Sequence, residues 1–378
     1  MTWYPSLTRI TEADIDEIAL GAAVLGTGGG GDPHIGALMA KRLIRLHGPV
    51  RVIGVNDLAD DDIVPPVGAI GSPSVVIERP MADDELTRAL AVLEEHTGRR
   101  PTVVMPIEVG GGNSMVPIAA AAVSGLPILD GDAMGRAFPE NQMVTFHLAG
   151  YEPGPVVMVD HLGNDVVIHA IGGARSERIA RAVTVEMGGS ATAIDYVHTG
   201  AVVRECAIPG TLSLARHIGR ILLDRDADPS HCTPVDRLCE ALGAFRLFDG
   251  KVVDLQREVR GGFTLGVAHL AGLGADKGGT LRLDFQNEML LARLNDRPVA
   301  VTPDLIAVLD LVTGRPITTE TLRYGARATV IGLPAHSWWR TERGLETAGP
   351  AYFGYDVPWA PVEELARQAR PASHEENA

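Results

Sequence analysis

The chain has 378 residues, a length that predicts two domains, because domains usually contain about 100–200 residues. Its net charge is −15, from 48 acidic and 33 basic side chains. This balance, without any lysine and arginine cluster, excludes binding to nucleic acid or to anionic membranes through a basic surface. A small molecule is the expected ligand.

The cellular location is predicted from cysteines and from apolar runs. The chain has three cysteines, Cys206, Cys232 and Cys239, and neither their odd number nor their spacing fits a usual metal motif. They are interpreted as inert thiols in a reducing compartment. The first residues lack the basic start and apolar core of a signal peptide, and no run of 18 or more apolar residues predicts a membrane span. A cytoplasmic protein is expected.

The chain is predicted to begin with two helices joined by a glycine loop. The first runs from Thr11 to Leu25, since Thr11 can cap it and Asp14 lies three residues on, close to a capping box. The loop GTGGGGD follows. The second helix starts at Asp32-Pro33 and runs through Leu46, because proline suits the first helical position.

Strands and helices then alternate as far as a predicted hairpin. The predicted elements are strands at 50–55, 68–77, 101–108 and 126–129, helices at 83–96 and 114–123, and a hairpin over 156–171. The strand at 68–77 is broken at Ser72-Pro73. Such alternation predicts an α/β layer whose sheet is at least partly parallel.

The second half has a different character. Helices are predicted at 176–187 and 211–223, and from residue 246 short strands dominate, separated by turn pairs such as Asn295-Asp296. We therefore predict an α/β N-terminal domain with a partly parallel sheet at 1–172. A β-rich α+β C-terminal domain follows at 173–365, and a polar tail at 366–378.

The four consecutive glycines of the first loop are candidates for ligand contact. Their amides can converge on an anion, and the following helix offers its positive end. A dinucleotide fingerprint is rejected, because it needs a strand before the glycines and a helix is predicted there. The alternative is a flexible linker, and His34 either faces the ligand or is plainly exposed. The substrate-binding candidates here are Gly28, Gly29, Gly30, Gly31 and His34.

A second group of candidates follows two predicted strand ends. Glu108 ends one strand and precedes a glycine loop that opens a helix, while Asp130 and Asp132 end the next strand. If the strands are parallel neighbours, the three carboxylates share one crevice. They would then provide a general base with a raised pKa or oxygen ligands for a metal. The predicted catalytic residues are Asp130, Asp132 and Glu108, with Gly111, Gly112, Asn113 and Ser114 as substrate-binding residues.

These residues also have structural interpretations. Asp130 and Asp132 can cap the next segment, and Asn113 or Ser114 can cap the helix. Arg136 can bind a substrate carboxylate bidentately or pair with Glu140.

For other polar residues, the sequence indicates a functional role less strongly. His147 lies in an apolar run and is interpreted as a core residue rather than a ligand. Three stretches of the second half are dense in polar groups that either belong to turns or form a site. These groups are Asp284, Asn287, Glu288, Asp304, Asp310, Thr319, Glu320, Tyr352, Tyr355 and Asp356.

Several long motifs occur in a fixed order along the chain. They are GTGGGGDPHIG, GGGNSMVPIAAAA, LPILDGDAMGRAFPE, PDLIAVLDLVTGRPITTETLRYGARATVIGLPA and GPAYFGYD. With them the chain resembles the S-methyl-thiohydantoin desulfurase family over roughly residues 8–360. The resemblance implies an α/β domain followed by a β-rich domain. It also implies hydrolysis of an S-methylated thiohydantoin that carries a propionate chain, giving a hydantoin and methanethiol.

The resemblance leaves the substrate and the role open. Relatives accompany hydantoinase or oxoprolinase subunits, so another cyclic imide or amidine, or a noncatalytic accessory role in such a complex, stays an alternative. For the hydrolase, Asp130 or Asp132 is the candidate base and Glu108 holds the ring N–H. The glycine-loop amides and Arg136 hold the oxyanion and the carboxylate. Either no cofactor is required or a divalent metal, with zinc as the specific candidate, activates the water. A homo-oligomer is expected.

Overall fold

The structure is a computed structural model that describes residues 4–71, 75, 79, 81–224 and 232–369. The chain divides into two compact units, Met1–Arg220 with Gly261–Phe263, and Ile221–Arg260 with Thr264–Ala378. The predicted boundary near residue 172 stays a prediction. The predicted break at Ser72-Pro73 and residues 370–378 of the predicted tail lie outside the described residues.

The first unit contains most of the helices and many short strands. Its helices are α1 (Ile15–Leu25), α2 (Pro33–His47), α3 (Asp83–Thr97), α4 (Met115–Ser124), α5 (Thr145–Leu148), α6 (Gly173–Glu186), α7 (Gly200–Cys206) and α8 (Thr211–Leu223), which runs past the division of the units. Its strands are β1 (Arg9–Ile10), β2 (Val50–Ile53), β3 (Ile63–Val64), β4 (Pro66–Gly71), β5 (Met105–Pro106), β6 (Ile128–Leu129), β7 (Gly131–Asp132), β8 (Pro155–Val159), β9 (Asp165–His169), β10 (Ser190–Ile194), β11 (His198–Thr199) and β12 (Ile208–Pro209).

These strands form a mixed, partly parallel arrangement, as predicted. A five-stranded sheet has the order β5-β4-β10-β8-β9, and a three-stranded sheet has the order β1-β2-β6. The β4–β5 and β2–β6 pairs are parallel, and the other pairs in these two sheets are antiparallel. A parallel bridge between Val104 and Ile128 places the strand that leads to Glu108 beside the strand that leads to Asp130.

Local capping explains where the first two helices begin. The Asp14 carboxylate accepts hydrogen bonds from the Thr11 N–H at 2.9 Å and from its hydroxyl at 2.6 Å. The chain makes one 3₁₀ turn before α1 starts. The Asp32 carboxylate accepts the His34 N–H at 2.8 Å, with Pro33 at the first position of α2. Both helix starts were predicted from these residue types.

The predicted strand over 101–108 is shorter in the structure. Only Met105 and Pro106 pair with β4, and Val104 adds a single bridge. Proline has no N–H to extend a ladder. The chain then leaves the sheet and reaches Glu108 as a buried loop residue.

The second unit is built on one large sheet. Its strands are β13 (Phe245–Arg260), β14 (Phe263–Gly272), β15 (Thr280–Gln286), β16 (Glu288–Leu294), β17 (Arg297–Val301), β18 (Leu305–Asp310) and β19 (Arg327–Leu333), in the order β17-β16-β15-β14-β13-β19-β18. Its helices are α9 (Pro234–Leu242), α10 (Glu342–Ala348) and α11 (Val362–Ala369). Buried aliphatic and aromatic side chains of the sheet, among them Phe248 and Phe285, pack in one core with Val362 of α11. The β-rich C-terminal region predicted from the sequence is confirmed.

Candidate functional site

The strand ends of the first unit bring Glu108 and Asp132 together. The Val109 N–H donates to Asp132 Oδ2 at 2.7 Å, and the Ala133 N–H donates to the Ile107 carbonyl at 3.1 Å. The loops after the two strands are thus joined by hydrogen bonds in both directions. We call Glu108 and Asp132 the strand-end pair.

Asp132 is a fully buried carboxyl group with two different oxygens. Oδ2 accepts the backbone N–H groups of Val109, Met134 and Gly135 at 2.7, 3.2 and 2.8 Å. Oδ1 is buried and has no hydrogen-bond partner among the described residues. Burial raises the pKa of Asp132 to about 7, although these N–H groups favour the charged form. A carboxyl group that changes protonation near neutral pH is suited to proton transfer.

Glu108 is buried beside it and is held at both oxygens. Oε1 accepts a hydrogen bond from Asn113 Nδ2 at 2.8 Å, and Oε2 accepts the Phe138 N–H at 3.3 Å. Burial raises the pKa of Glu108 to about 7; the two hydrogen bonds and the charge of Arg136 lower it, and the charge of Asp132 raises it. The strand-end pair therefore consists of two acids that both titrate near neutrality.

The Asn113 side chain links Glu108 to β4. Its Oδ1 accepts the Ala69 N–H at 2.7 Å, and its Nδ2 donates to the Ala69 carbonyl at 3.2 Å. These two bonds determine which end of the amide faces Glu108, so that the donor is presented to the carboxylate. The next side chain, Ser114, has a buried hydroxyl without a hydrogen-bond partner in the described part of the chain.

The two glycine loops contact each other through their backbones. The Gly112 and Asn113 N–H groups donate to the carbonyls of Gly31 and Gly30 at 3.0 and 3.1 Å. A Cβ on Gly30, whose φ is +72°, would lie 2.6 Å from the carbonyl atoms of Gly110. A Cβ on Gly111 would lie 2.0 Å from the Gly31 oxygen. Glycine is required at these two positions, because side chains there would separate the loops. The Gly112 and Asn113 amides are used in this contact instead of facing a ligand.

Around this contact, Gly28 and Gly29 are buried, Gly30 and Gly31 are partly buried, and His34 is exposed. Ligand binding by Gly28–Gly31 and by His34 stays a prediction.

Arg136 is fully buried and connects the first glycine loop to the segment after Asp132. Its Nη2 donates to the Thr27 hydroxyl at 2.8 Å, and its Nε donates to the Ala137 carbonyl at 2.9 Å. The guanidinium lies 4.4 Å from the centre of the Phe138 ring. The structure thus engages these donors within the protein, whereas the sequence suggested binding of a substrate carboxylate. Glu140, the alternative partner, accepts a hydrogen bond from Gln142.

Asp130, the third predicted acid, is held by a different element. Its carboxylate accepts the N–H of Ser213 at 3.0 Å and the hydroxyl of the same residue, at the start of α8. Burial raises the pKa of Asp130, and the Ser213 hydrogen bonds lower it. The structure therefore brings Glu108 and Asp132 together and ties Asp130 to a helix N-terminus, in the manner of a cap.

A second buried carboxyl pair, Glu177 and Asp195, was missed by the sequence interpretation. Asn141 joins them: its N–H donates to Glu177 Oε2 at 3.1 Å, and its Nδ2 donates to Asp195 Oδ2 at 3.2 Å. Arg181 binds Glu177 Oε1 at 2.5 Å. Burial and the charge of Glu177 raise the pKa of Asp195 to about 7. The available signal was an acid directly after a fully buried strand, β10, as at Asp130. We call Glu177 and Asp195 the α6 pair.

Next to the α6 pair lies Tyr196, whose hydroxyl is buried without a partner among the described residues. Burial raises its pKa, as do the charges of Asp195, Glu152 and Glu177. His147, interpreted as a core residue, is partly buried in α5.

The polar residues of the second unit mostly have structural partners. Asp284 binds Arg282 and Arg293, and Asp304 binds Arg340, each at 2.5–2.7 Å. Asp310 accepts hydrogen bonds within its own turn, from Val312 and Thr313. The turn interpretation fits Asp310, whereas Asp284 and Asp304 form ion pairs with arginines of the second unit.

Two kinds of site are absent from the described residues. Among them, no group of three or more His, Cys, Asp or Glu side chains is arranged to hold a metal ion. Within the same part of the chain, no helix combines the length and apolarity needed to cross a bilayer.

Comparison with known proteins gives two family matches that follow each other along the chain. A model described as the S-Me-THD-like N-terminal domain matches residues 13–170. One described as the S-Me-THD-like C-terminal domain matches residues 172–362. No curated protein gives a significant match to the chain.

Among solved structures, an X-ray crystal structure of a protein from Chromobacterium violaceum is similar to this chain, with a TM-score of 0.76 and 23% sequence identity. The match covers 94% of this chain and 100% of that one. At this identity, the likeness supports the fold alone.

Proposed function

The chain belongs to the S-Me-THD-like family, and on that premise we propose that it hydrolyses an S-methylated thiohydantoin, or a related cyclic amidine or imide, with the strand-end pair as its acid and base. The observation that carries the proposal is that both carboxyl groups of the strand-end pair are buried and have a pKa of about 7. Their position supports it as well, because ligands of α/β sheets bind beyond the carboxyl ends of strands.

In the proposed reaction, Asp132 is the base. Its Oδ1, which has no hydrogen-bond partner among the described residues, accepts a proton from water. The water oxygen attacks the ring carbon that carries the S-methyl group. Oδ2 stays bound to three backbone N–H groups, which orient the carboxylate and stabilise its charged form.

Glu108 is the proposed acid. It donates its proton to the ring nitrogen as negative charge develops there. When the tetrahedral intermediate collapses, the carbon–sulfur bond breaks and a carbonyl forms. The hydroxyl group of the intermediate returns a proton to Glu108 as it becomes the carbonyl. Methanethiolate takes the proton held by Asp132. One water is consumed, and a hydantoin and methanethiol are released.

Two further residues act through Glu108 in this proposal. Asn113 presents an N–H to Oε1 in a fixed orientation, and Arg136 favours the charged form of Glu108 through its own charge. Both counter the desolvation that would otherwise keep Glu108 protonated at neutral pH. They are positioning residues.

The test is thiol release from S-methyl-thiohydantoin propionate, detected with a thiol reagent, alongside a panel of hydantoins and other cyclic imides. Asp132→Asn keeps size and hydrogen bonding but removes the base, so kcat should fall about 10²–10⁴-fold. Asp195→Asn is the matched control. It removes another buried carboxyl with a pKa of about 7, and it should leave kcat unchanged.

Two outcomes would contradict the proposal. Equal loss in both variants would assign no catalytic role to Asp132. Absence of turnover on the whole panel would favour the accessory-subunit alternative, which co-purification with a hydantoinase-like enzyme would then test. The cytoplasmic location and the homo-oligomer remain predictions.

A further inference from the structure

Two histidines of the first unit meet at the protein surface. His96 lies in the last turn of α3, and His169 is the last residue of β9. Their Nε2 atoms are 2.8 Å apart, and their ring centres are 4.9 Å apart with an angle of 42° between the planes. Both residues are exposed.

The framework under the two rings is ordered by secondary structure. β9 pairs with β8 over five residues, including His169 opposite Pro155. Helix α3 packs against β8. The two imidazoles are therefore brought together by elements that share β8, rather than by a mobile loop.

At this distance the two nitrogens can share only one hydrogen. In the neutral pair, one Nε2 carries the hydrogen and the other accepts it. If the donor ring moves its hydrogen to Nδ1, both Nε2 atoms present lone pairs to the space between the two rings. Two neighbouring imidazole nitrogens with free lone pairs can act as ligands of a transition-metal ion.

From this geometry we propose that His96 and His169 form a surface binding site for a divalent transition-metal ion of the Zn²⁺, Ni²⁺ or Cu²⁺ class. A tetrahedral ion with bonds of about 2.0–2.1 Å needs its two nitrogens about 3.3 Å apart. The rings reach that separation by moving apart by about 0.5 Å. Water fills the remaining positions.

The surroundings favour a cation of this class. The carbonyl end of α3, where His96 lies, carries partial negative charge, and the chain as a whole has a net charge of −15. The two donor atoms are imidazole nitrogens, which suit transition metals, while Mg²⁺ and Ca²⁺ prefer oxygen ligands.

The site is separate from the strand-end pair. β9 is one edge of the five-stranded sheet, and β5, the strand that leads to Glu108, is the opposite edge. Four strand spacings of about 4.8 Å put these edges about 19 Å apart. The proposed ion is thus no part of the proposed hydrolytic step, and the two proposals can fail independently.

The experiment is calorimetric titration of the full-length protein, freed of metal by a chelator, with Zn²⁺, Ni²⁺ and Cu²⁺ salts. The wild type should bind one equivalent at least tenfold more tightly than His96→Ala or His169→Ala. His34→Ala, which removes an exposed histidine from α2, is the matched control and should bind like the wild type. Thermal unfolding of each variant checks that the fold is retained.

A second readout distinguishes a two-nitrogen site from ion binding elsewhere. The spectrum of bound Cu²⁺ in electron paramagnetic resonance should show two equatorial nitrogens in the wild type and fewer in either single variant. The proposal is overturned if all three alanine variants bind like the wild type, or if the wild type shows no site tighter than millimolar. The contact would then be a hydrogen bond only.

Discussion

The first unit contains two buried carboxyl pairs whose surroundings differ in one respect. In the α6 pair, Glu177 binds the cation of Arg181 directly, at 2.5 Å. In the strand-end pair, Glu108 and Asp132 are held by an amide side chain and by backbone N–H groups. A direct ion pair with a buried arginine stabilises a carboxylate more strongly than hydrogen bonds from neutral amides do. The comparison sets a pair that contains an ion pair against the pair that is proposed to be catalytic.

The largest expected effect is on stability at the α6 pair. Glu177→Gln removes the partner of Arg181, whose side chain is only 12% exposed, and should lower the free energy of unfolding by about 3–5 kcal/mol. Glu108→Gln leaves no cation unpaired in this way and keeps an acceptor for Asn113, but the Phe138 N–H loses its acceptor, so it should cost about 1–2 kcal/mol. Urea unfolding of both variants measures the difference. Equal losses of unfolding free energy would show that the two pairs do not differ in this respect.

The next effect concerns the glycine contact beside the strand-end pair. Gly30→Ala places a Cβ 2.6 Å from the Gly110 backbone, and with the strain of a positive φ it should cost about 2–4 kcal/mol. Gly163→Ala has a similar φ of +84° with nothing within 4 Å, so it should cost only about 1 kcal/mol. Unfolding free energies of the two variants provide the check. Similar costs would mean that the loops separate easily.

A smaller effect is the pH dependence of stability. Glu108, Asp132 and Asp195 each have a pKa of about 7 in the folded protein, above their ordinary values near 4. The folded state therefore holds more protons than the unfolded state between these values, so stability falls as pH rises from about 4 to about 7. Asp195→Asn should gain about 1–2 kcal/mol relative to the wild type at pH 8 and little at pH 4. A gain that is the same at both pH values would contradict the raised pKa.

The smallest effect is at Asp130. Asp130→Asn keeps an acceptor for Ser213 at the start of α8 and should cost about 1 kcal/mol. Thiol release should persist, in contrast to Asp132→Asn. Loss of turnover in a folded Asp130→Asn protein would return Asp130 to the catalytic group.

Local signals predicted the parts of the fold that depend on neighbouring residues. Two helix starts were predicted from capping residues, Thr11 with Asp14 and Asp32 with Pro33, because caps act within one turn. Alternating elements predicted the mixed sheet, and turn pairs predicted the strands of the second unit. Glu108 and Asp132 were placed together because the ends of adjacent parallel strands meet.

What the sequence did not predict depends on residues far apart along the chain. Asp130 was grouped with Asp132, yet its partner Ser213 lies 83 residues further on, and no local pattern connects them. Glu177 and Asp195 are joined by Asn141, which lies in a different loop. Arg136 carries a charge that suggested a ligand, and only the tertiary structure shows that it is buried against Thr27 and Phe138.

The backbone contact between the two glycine loops also limits how the chain can be recombined. The Gly30 and Gly31 carbonyls accept from Asn113 and Gly112, and neither loop tolerates side chains at the contact. A chimera that takes residues 26–32 from a relative should therefore take residues 110–114 from the same parent. The two segments form one structural unit, although about 80 residues of chain lie between them in the sequence.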